Sequence, residues 1–278
     1  MNKFIIFFIL LLSAVVPLHS QSITPRGHSH NDYLQKTPLM EAVNLGFGSI
    51  EIDICLTKKN ELKVAHIPWF LSGKKDVEEL YFAPIAKMID EKDTVLKYSP
   101  DNPLHLLIDF KKNADSTYKY LRKVFVKYAN YITQYKNDKV THKGYLVINI
   151  TGNKPWKALK NDSIWYAKID GPLRLAKDTS DNLHGFNSID SSYMKLMGRA
   201  ATNYKELKKF RKKCSSDAEF YQLVNANMHL YHSSGITTRY YEVPNNQKSW
   251  KIIMDCGVYW VNVDKLKAFS DFYKTTLK

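Results

Sequence analysis

The stretch Gly46 to Pro68, GFGSIEIDICLTKKNELKVAHIP, constrains what this chain can fold into more than any other. Its centre, Ser49 to Cys55, alternates as a strand does, with Ile50, Ile52 and Ile54 on one face and Glu51 and Asp53 on the other. Two carboxylates at i and i+2 of a strand stand side by side. Burying them uncompensated is costly, so a fold that keeps them sets cations or water beside them. The chain then turns through Lys58-Lys59-Asn60 and returns as Leu62 to His66, which brings an imidazole back toward the acids. A hairpin with one solvated face also explains this stretch, so the rest of the chain has to decide.

The rest alternates short apolar strands with helical stretches. Thr24 to His30 reads as a first strand, followed by a helix over Pro38 to Leu45 that Gly46 ends. After the acidic strand comes a helix over Pro84 to Lys97. Leu104 to Phe110 follows, a nearly continuous apolar run typical of a strand buried on both faces. An amphipathic helix over Ser116 to Ile132 carries Leu121, Val124, Phe125 and Tyr128 as core contacts. Strands four to six are expected over Gly144 to Ile150, Ile164 to Ile169 and Gly185 to Ile189, with a helix over Asn203 to Lys213. Thr237 to Val243, a helix over Gln247 to Asp255, Val258 to Val263 and a last helix complete the chain. Eight strands mostly separated by helices predict a single α/β domain, a (β/α)8 TIM barrel over residues 21–278. A doubly wound open sheet would want a Gly-rich phosphate loop, and the chain has none.

Met1 to roughly Ser20 reads as a cleavable signal peptide: Lys3 supplies the charged start and Phe4 to Val16 the apolar core. That core is short for a membrane span, and no cysteine follows it for lipid attachment, so a secreted or periplasmic protein is expected. Cys55, Cys214 and Cys256 form no Cys-x-x-Cys pair, which argues against zinc and dithiol chemistry. A Cys214–Cys256 bridge has no specific support. The net charge of +14 favours anionic partners, including an acidic membrane surface. The lysines are spread along the chain, and the densest group, Lys208 to Lys213, reads as a solvated helix face. No nucleic-acid site is therefore expected, and the protein is expected to be a monomer.

In a barrel of this kind, chemistry sits at the carboxyl ends of the strands. Those ends collect Gly27-His-Ser-His-Asn-Asp32, Glu51, Asp53 and His66, then Asp109 and Lys111, and further on Lys168, Asp170, Arg239, Glu242, Asn262 and Asp264. Carboxylates and histidines converging on one rim suit a hard, oxygen-bound cation with an acid/base pair.

Four motifs in order, Gly27-His-Ser-His-Asn-Asp-Tyr33, Glu51-Ile-Asp53, His66 and Ile108-Asp-Phe-Lys111, carry a resemblance. The chain resembles the phosphatidylinositol-specific phospholipase C and glycerophosphodiester phosphodiesterase superfamily, most of all the branch that includes the altered-inheritance-of-mitochondria protein 6 group. The likeness runs from Arg26 to Asp264 and takes in Arg239-Tyr-Tyr-Glu-Val-Pro244 and Gly257 to Asp264. It implies a metal-dependent phosphoric diester hydrolase acting on a small anionic phosphodiester or lipid headgroup. One divalent cation, Mg2+ or Ca2+, would be held by Glu51, Asp53, Asp109 and Asn31. His30 and His66 would serve as general base and acid, and Lys111 and Arg239 would bind substrate. His28 is the alternative to His30, since Arg26-Gly27-His28 also reads as a displaced family motif. The chain departs from glycerophosphodiesterases at Ile67-Pro68, where many have an aspartate after the second histidine. Only about forty residues lie between His66 and Asp109, room for less of a headgroup-reading cap. A non-catalytic headgroup-binding barrel, or a sugar-active barrel using two carboxylates without metal, would be the competing readings.

Overall fold

Residues 26–93, 96–177 and 194–276 are described by a computed structural model. Its strands are β1 (Gly27–Ser29), β2 (Ser49–Leu56), β3 (Leu62–Val64), β4 (Leu104–Phe110), β5 (Gln134–Lys136), β6 (Lys139–His142), β7 (Leu146–Gly152), β8 (Lys168–Pro172), β9 (Met197–Asn203), β10 (Thr237–Tyr241) and β11 (Trp260–Val263). Eight of them pair in parallel in the order β1-β2-β4-β7-β8-β9-β10-β11. The ring closes through β1, where His28 lies opposite Asn262 on one side and Ser49 on the other. This is the expected TIM barrel. Return strand β3 adds antiparallel to β2, with Ile54 opposite Val64, and Ala65 N–H then bonds to the Asp53 carbonyl. That bond sets His66 at the level of Asp53.

Period-two patterning divides the strands into two faces. Ile50, Ile52 and Ile54, Leu106, Ile108 and Phe110, and Ile148 and Ile150 are buried toward the surrounding helices. The helix Ala114–Lys127 meets them with Tyr118, Leu121 and Phe125, whose spacing is that of one helical face. The helix Gln247–Asp255 begins where the Asn246 side chain accepts the Ser249 N–H, and ends at Gly257, whose φ of 69° suits a residue without Cβ. Inside the barrel the alternate positions are largely polar: His28, Ser49, Glu51, Asp53, Asn149, Arg199, Arg239 and Asn262 are all buried. Branched apolar layers usually fill such a barrel. The charge in this interior is instead what organises the site.

Two expectations need correction, and two elements were not foreseen. The sixth strand expected over Gly185 to Ile189 lies outside the described residues, and the sixth strand of the barrel is β9. The fifth was expected over Ile164 to Ile169, but β8 starts at Lys168. The Trp165 backbone pairs instead with Tyr135 of the β5–β6 hairpin. That hairpin was not foreseen, although its turn residues Asn137 and Asp138, both at positive φ, are of the kind that a two-residue turn favours. The helix Asp217–Ser233 was not foreseen either. Its start is marked in the sequence by Ser216, which accepts from Glu219 N–H, and by Glu219, which accepts from Ser215 N–H.

Cys55, Cys214 and Cys256 are free thiols. The basic group around Lys208 lies on a helix, Tyr204–Arg211, that buries Tyr204, Leu207 and Phe210 and turns its lysines to solvent. No helix among the described residues is long and apolar enough to cross a membrane. The signal peptide expected over Met1 to roughly Ser20 lies outside them.

Candidate active site

The interior is built in layers. In the lower one, Arg199 Nη2 donates to Ser49 Oγ at 2.9 Å, and the guanidinium lies 5.6 Å from the centre of the Trp260 ring. Burial and the neighbouring charge of Arg239 push Arg199 down to about 9. His28 bridges this layer to the next: its Nδ1 meets Ser49 Oγ at 2.8 Å and its Nε2 meets Glu51 Oε2 at 2.9 Å. Burial and Arg239 hold its pKa well below the usual histidine value. Arg239 Nη1 also lies 3.0 Å from Nε2, so the ring is wedged between the Glu51 carboxylate and a guanidinium. Arg239 Nη1 donates to Glu51 Oε2 at 2.5 Å and to Asn262 Oδ1 at 2.9 Å, and Nη2 lies 3.8 Å from Asp170. Burial alone would raise the Glu51 pKa, but Arg239 and His28 outweigh it and hold the carboxyl well below its ordinary range.

Glu51 and Asp170 thus face Arg199 and Arg239, two acids and two guanidiniums that are all buried. Removing one partner of such a pair leaves an uncompensated buried charge. Arg239→Met, measured by denaturant unfolding in chelator, should lose about 3–5 kcal/mol. The Glu51 contribution is present above its unfolded pKa of about 4.3 and is lost as pH falls through the depressed folded value. The deficit should therefore shrink in acid, and an unchanged midpoint at neutral pH would contradict this account of the interior.

Above this layer opens a pocket of about 650 Å³ at the carboxyl ends of the strands. Asp53 lies at its base. Its Oδ2 accepts from Tyr33 Oη at 2.7 Å and Lys111 Nζ at 2.9 Å, and meets His66 Nδ1 at 2.7 Å. Its Oδ1 is equally buried and has no partner. Lys111 Nζ also donates to Asp109 Oδ2 at 2.8 Å. Burial raises the Asp109 pKa against the pull of Lys111. Gly152, at φ 67°, makes room for Asp109: a Cβ there would fall 1.9 Å from Oδ1. Carboxylate oxygens of Glu51, Asp53 and Asp109 lie within 4.8 Å of one another. Three acids at this separation, with one orphaned buried oxygen among them, have the donor set and the unspent charge of a hard divalent cation site. Asn31, in the left-handed region at φ 46° directly after β1, lines the same pocket.

The two rim histidines are each oriented through Nδ1. His30 meets Asp264 Oδ1 at 2.7 Å; Asn245 holds that aspartate by donating to Oδ2 and accepting from its backbone N–H. Burial lowers the His30 pKa, but Asp264 and Glu51 more than reverse this, so the net shift is upward. His66, oriented by Asp53, leaves its ring 62% exposed at the pocket mouth.

Of the expected site residues, His30, Asn31, Glu51, His66, Asp109 and Lys111 line the pocket and Asp53 lies against it. Two of the expected residues sit deeper than the rest. His28 is fully buried and is not among the residues lining the pocket; its ring nitrogens are engaged by Ser49 and Glu51. Arg239 lines the floor of the pocket, and its guanidinium is engaged by His28, Glu51, Asn262 and Asp170. Asp170 and Lys154 also line the pocket, and Arg199 supports it from below. Lys154 and Arg199 gave no signal in the sequence; Arg199 lies on the barrel strand that sequence reasoning misplaced.

An AIM6-like phosphodiesterase domain model matches residues 18–167, more than half of the 278-residue chain. The chain belongs to the AIM6-like phosphodiesterase family. Among curated relatives, altered inheritance of mitochondria protein 6 of Eremothecium gossypii is 28% identical over 288 residues, covering 90% of this chain and 70% of that protein. The Saccharomyces cerevisiae protein of the same name is 29% identical over 232 residues, covering 74% of this chain and 55% of its own length. The fold is also that of solved glycerophosphodiester phosphodiesterases. One from Parabacteroides distasonis superposes with a TM-score of 0.51 at 12% identity, covering 91% of this AIM6-like chain and 96% of its own. A phosphodiesterase of Oleispira antarctica, solved with the product sn-glycerol-3-phosphate, gives 0.51 at 12% identity over 91% and 98%.

Proposed function

We propose that the pocket cleaves a small anionic phosphodiester by metal-assisted acid/base chemistry. The observation that carries this reading is the orphaned Asp53 Oδ1 in a three-carboxylate cluster, flanked by two histidines each oriented through Nδ1. Glu51, Asp53, Asp109 and Asn31 would hold the ion, Mg2+ or Ca2+. When bound, it would neutralise charge on the phosphate oxygens.

The chain's own groups do the rest. With its Nδ1 proton donated to Asp264, His30 leaves Nε2 as the base that takes the proton of the attacking hydroxyl, from water or from the substrate itself. A P–O bond forms on that oxygen as the bond to the leaving group breaks. His66 delivers a proton from Nε2 to the departing oxygen, its Nδ1 tied to Asp53. A cation would compete with Lys111 for the charge of Asp53 and Asp109, and the ammonium, so released, would face the phosphate together with Lys154. The proposal extends to an exported enzyme on the strength of the charged start and apolar core of the leader.

A panel of glycerophosphodiesters, phosphatidylinositol and sphingomyelin, supplied with Mg2+ or Ca2+, tests the reading, with His30→Ala as control. Release of a phosphomonoester or cyclic phosphodiester by the wild-type protein alone is the expected result. Saturable binding of a diester without turnover would instead make this a headgroup-binding barrel.

A further inference from the structure

Among the described residues seven large apolar side chains are exposed, and their distribution is uneven. Leu34 follows β1, Ile67, Trp69 and Phe70 follow His66 of the pocket lining, and Tyr241 ends β10 and itself lines the pocket. Only Val126, on a flanking helix, and Val140, on the β5–β6 hairpin, lie elsewhere. The centre of the group is the segment directly after His66. There Phe70 N–H closes a turn on the Ile67 carbonyl, leaving Trp69 70% and Phe70 66% exposed. Such a ridge beside a pocket marks a surface that meets something apolar. The loops around it carry exposed Glu61, Glu242 and Asp264 together with a set of lysines. Lys112 Nζ lies 4.9 Å from the centre of the Trp69 ring, and Lys36, Lys58, Lys59 and Lys74 are exposed on loops of the same rim.

We propose that this ridge seats the protein on a lipid bilayer carrying anionic headgroups. Trp69 and Phe70 enter the interface and the surrounding lysines meet the headgroups. Aromatic tips ringed by long basic side chains fit a surface that is apolar below and negatively charged above. A second copy of this chain fits worse, because it presents the same lysines and the same +14 charge face to face. On the bilayer the pocket mouth opens toward phosphodiesters held in the membrane. That last point rests on the phosphodiesterase reading; attachment to the bilayer does not.

The test is co-sedimentation of the full chain with phosphatidylcholine vesicles made with and without phosphatidylglycerol, in chelator so that no turnover is read. The wild type should pellet with the phosphatidylglycerol vesicles, and less as salt rises. Trp69→Ala/Phe70→Ala, its fold checked by circular dichroism, should bind on the order of tenfold more weakly or worse, while Val126→Ala binds as wild type. No pelleting at low salt, or equal pelleting of the double variant, overturns the proposal. So does a wild-type dimer in sedimentation velocity that the double variant dissolves, since the ridge would then be a subunit interface. Vesicle binding that persists in a protein showing no turnover on any diester supports the ridge and removes only the catalytic reading.

Discussion

His30→Ala should lower kcat by at least about a hundredfold, with little change in divalent-ion affinity. His30 is the one histidine of β1 and its flank that lines the pocket, and Asp264 leaves its Nε2 for the reacting proton. His28→Ala should lose folding stability instead, because it strips Ser49 and Glu51 of a buried partner. A dead His28→Ala beside an active His30→Ala would reverse the assignment. A pH titration gives a second check. Asp264 and Glu51 raise the His30 pKa against burial. In chelator, the His30 imidazole followed by NMR should therefore titrate above the usual histidine value of about 6.5. Asp264→Asn should move that titration to lower pH. The stabilisation from the charged His30–Asp264 pair has the sign of a raised pKa: it is complete below about 6.5 and is lost as pH rises through the folded value.

Asp53→Asn should abolish both divalent-ion binding, read by calorimetry, and turnover, while the protein stays folded. The change keeps the shape of the side chain but removes the charge shared by His66 and Lys111. It also converts one carboxylate oxygen to a donor, which repels a cation and the Lys111 ammonium alike. Calorimetric binding as tight as wild type would show that Asp53 orients His66 and binds no ion.

The barrel was legible wherever a strand is buried on its helix-facing side and carries the pattern in its own residues. Leu104 to Phe110 and the helix Gln247–Asp255 agree with the structure to the residue, and the alternation Ile50-Glu51-Ile52-Asp53 named both strand and site. It failed at β9, whose MGRAATN has a single large apolar residue, so nothing in it competed with the stretch chosen for the sixth strand. Arg199 was missed for that reason. His28 and Arg239 were harder in kind. Residues two apart on a strand share a face, so the pattern puts His28 and His30 both inward. Depth along the barrel axis decides which meets substrate, and that depth is set by the closing pairs of β1 with β2 and β11. The exposed ridge after His66 was read only as a departure from a family motif at Ile67-Pro68; its meaning depends on exposure, which a linear pattern does not carry.

Metal-assisted cleavage is the claim on which the rest depends. Its most direct test is turnover of a phosphodiester by wild-type protein stripped with chelator and then titrated with Mg2+ or Ca2+. The orphaned Asp53 Oδ1 and its two acidic neighbours predict no turnover in chelator and saturable recovery as the ion returns. Full turnover in chelator would contradict the account, and would leave Lys111 and Arg239 as the cations on those carboxylates.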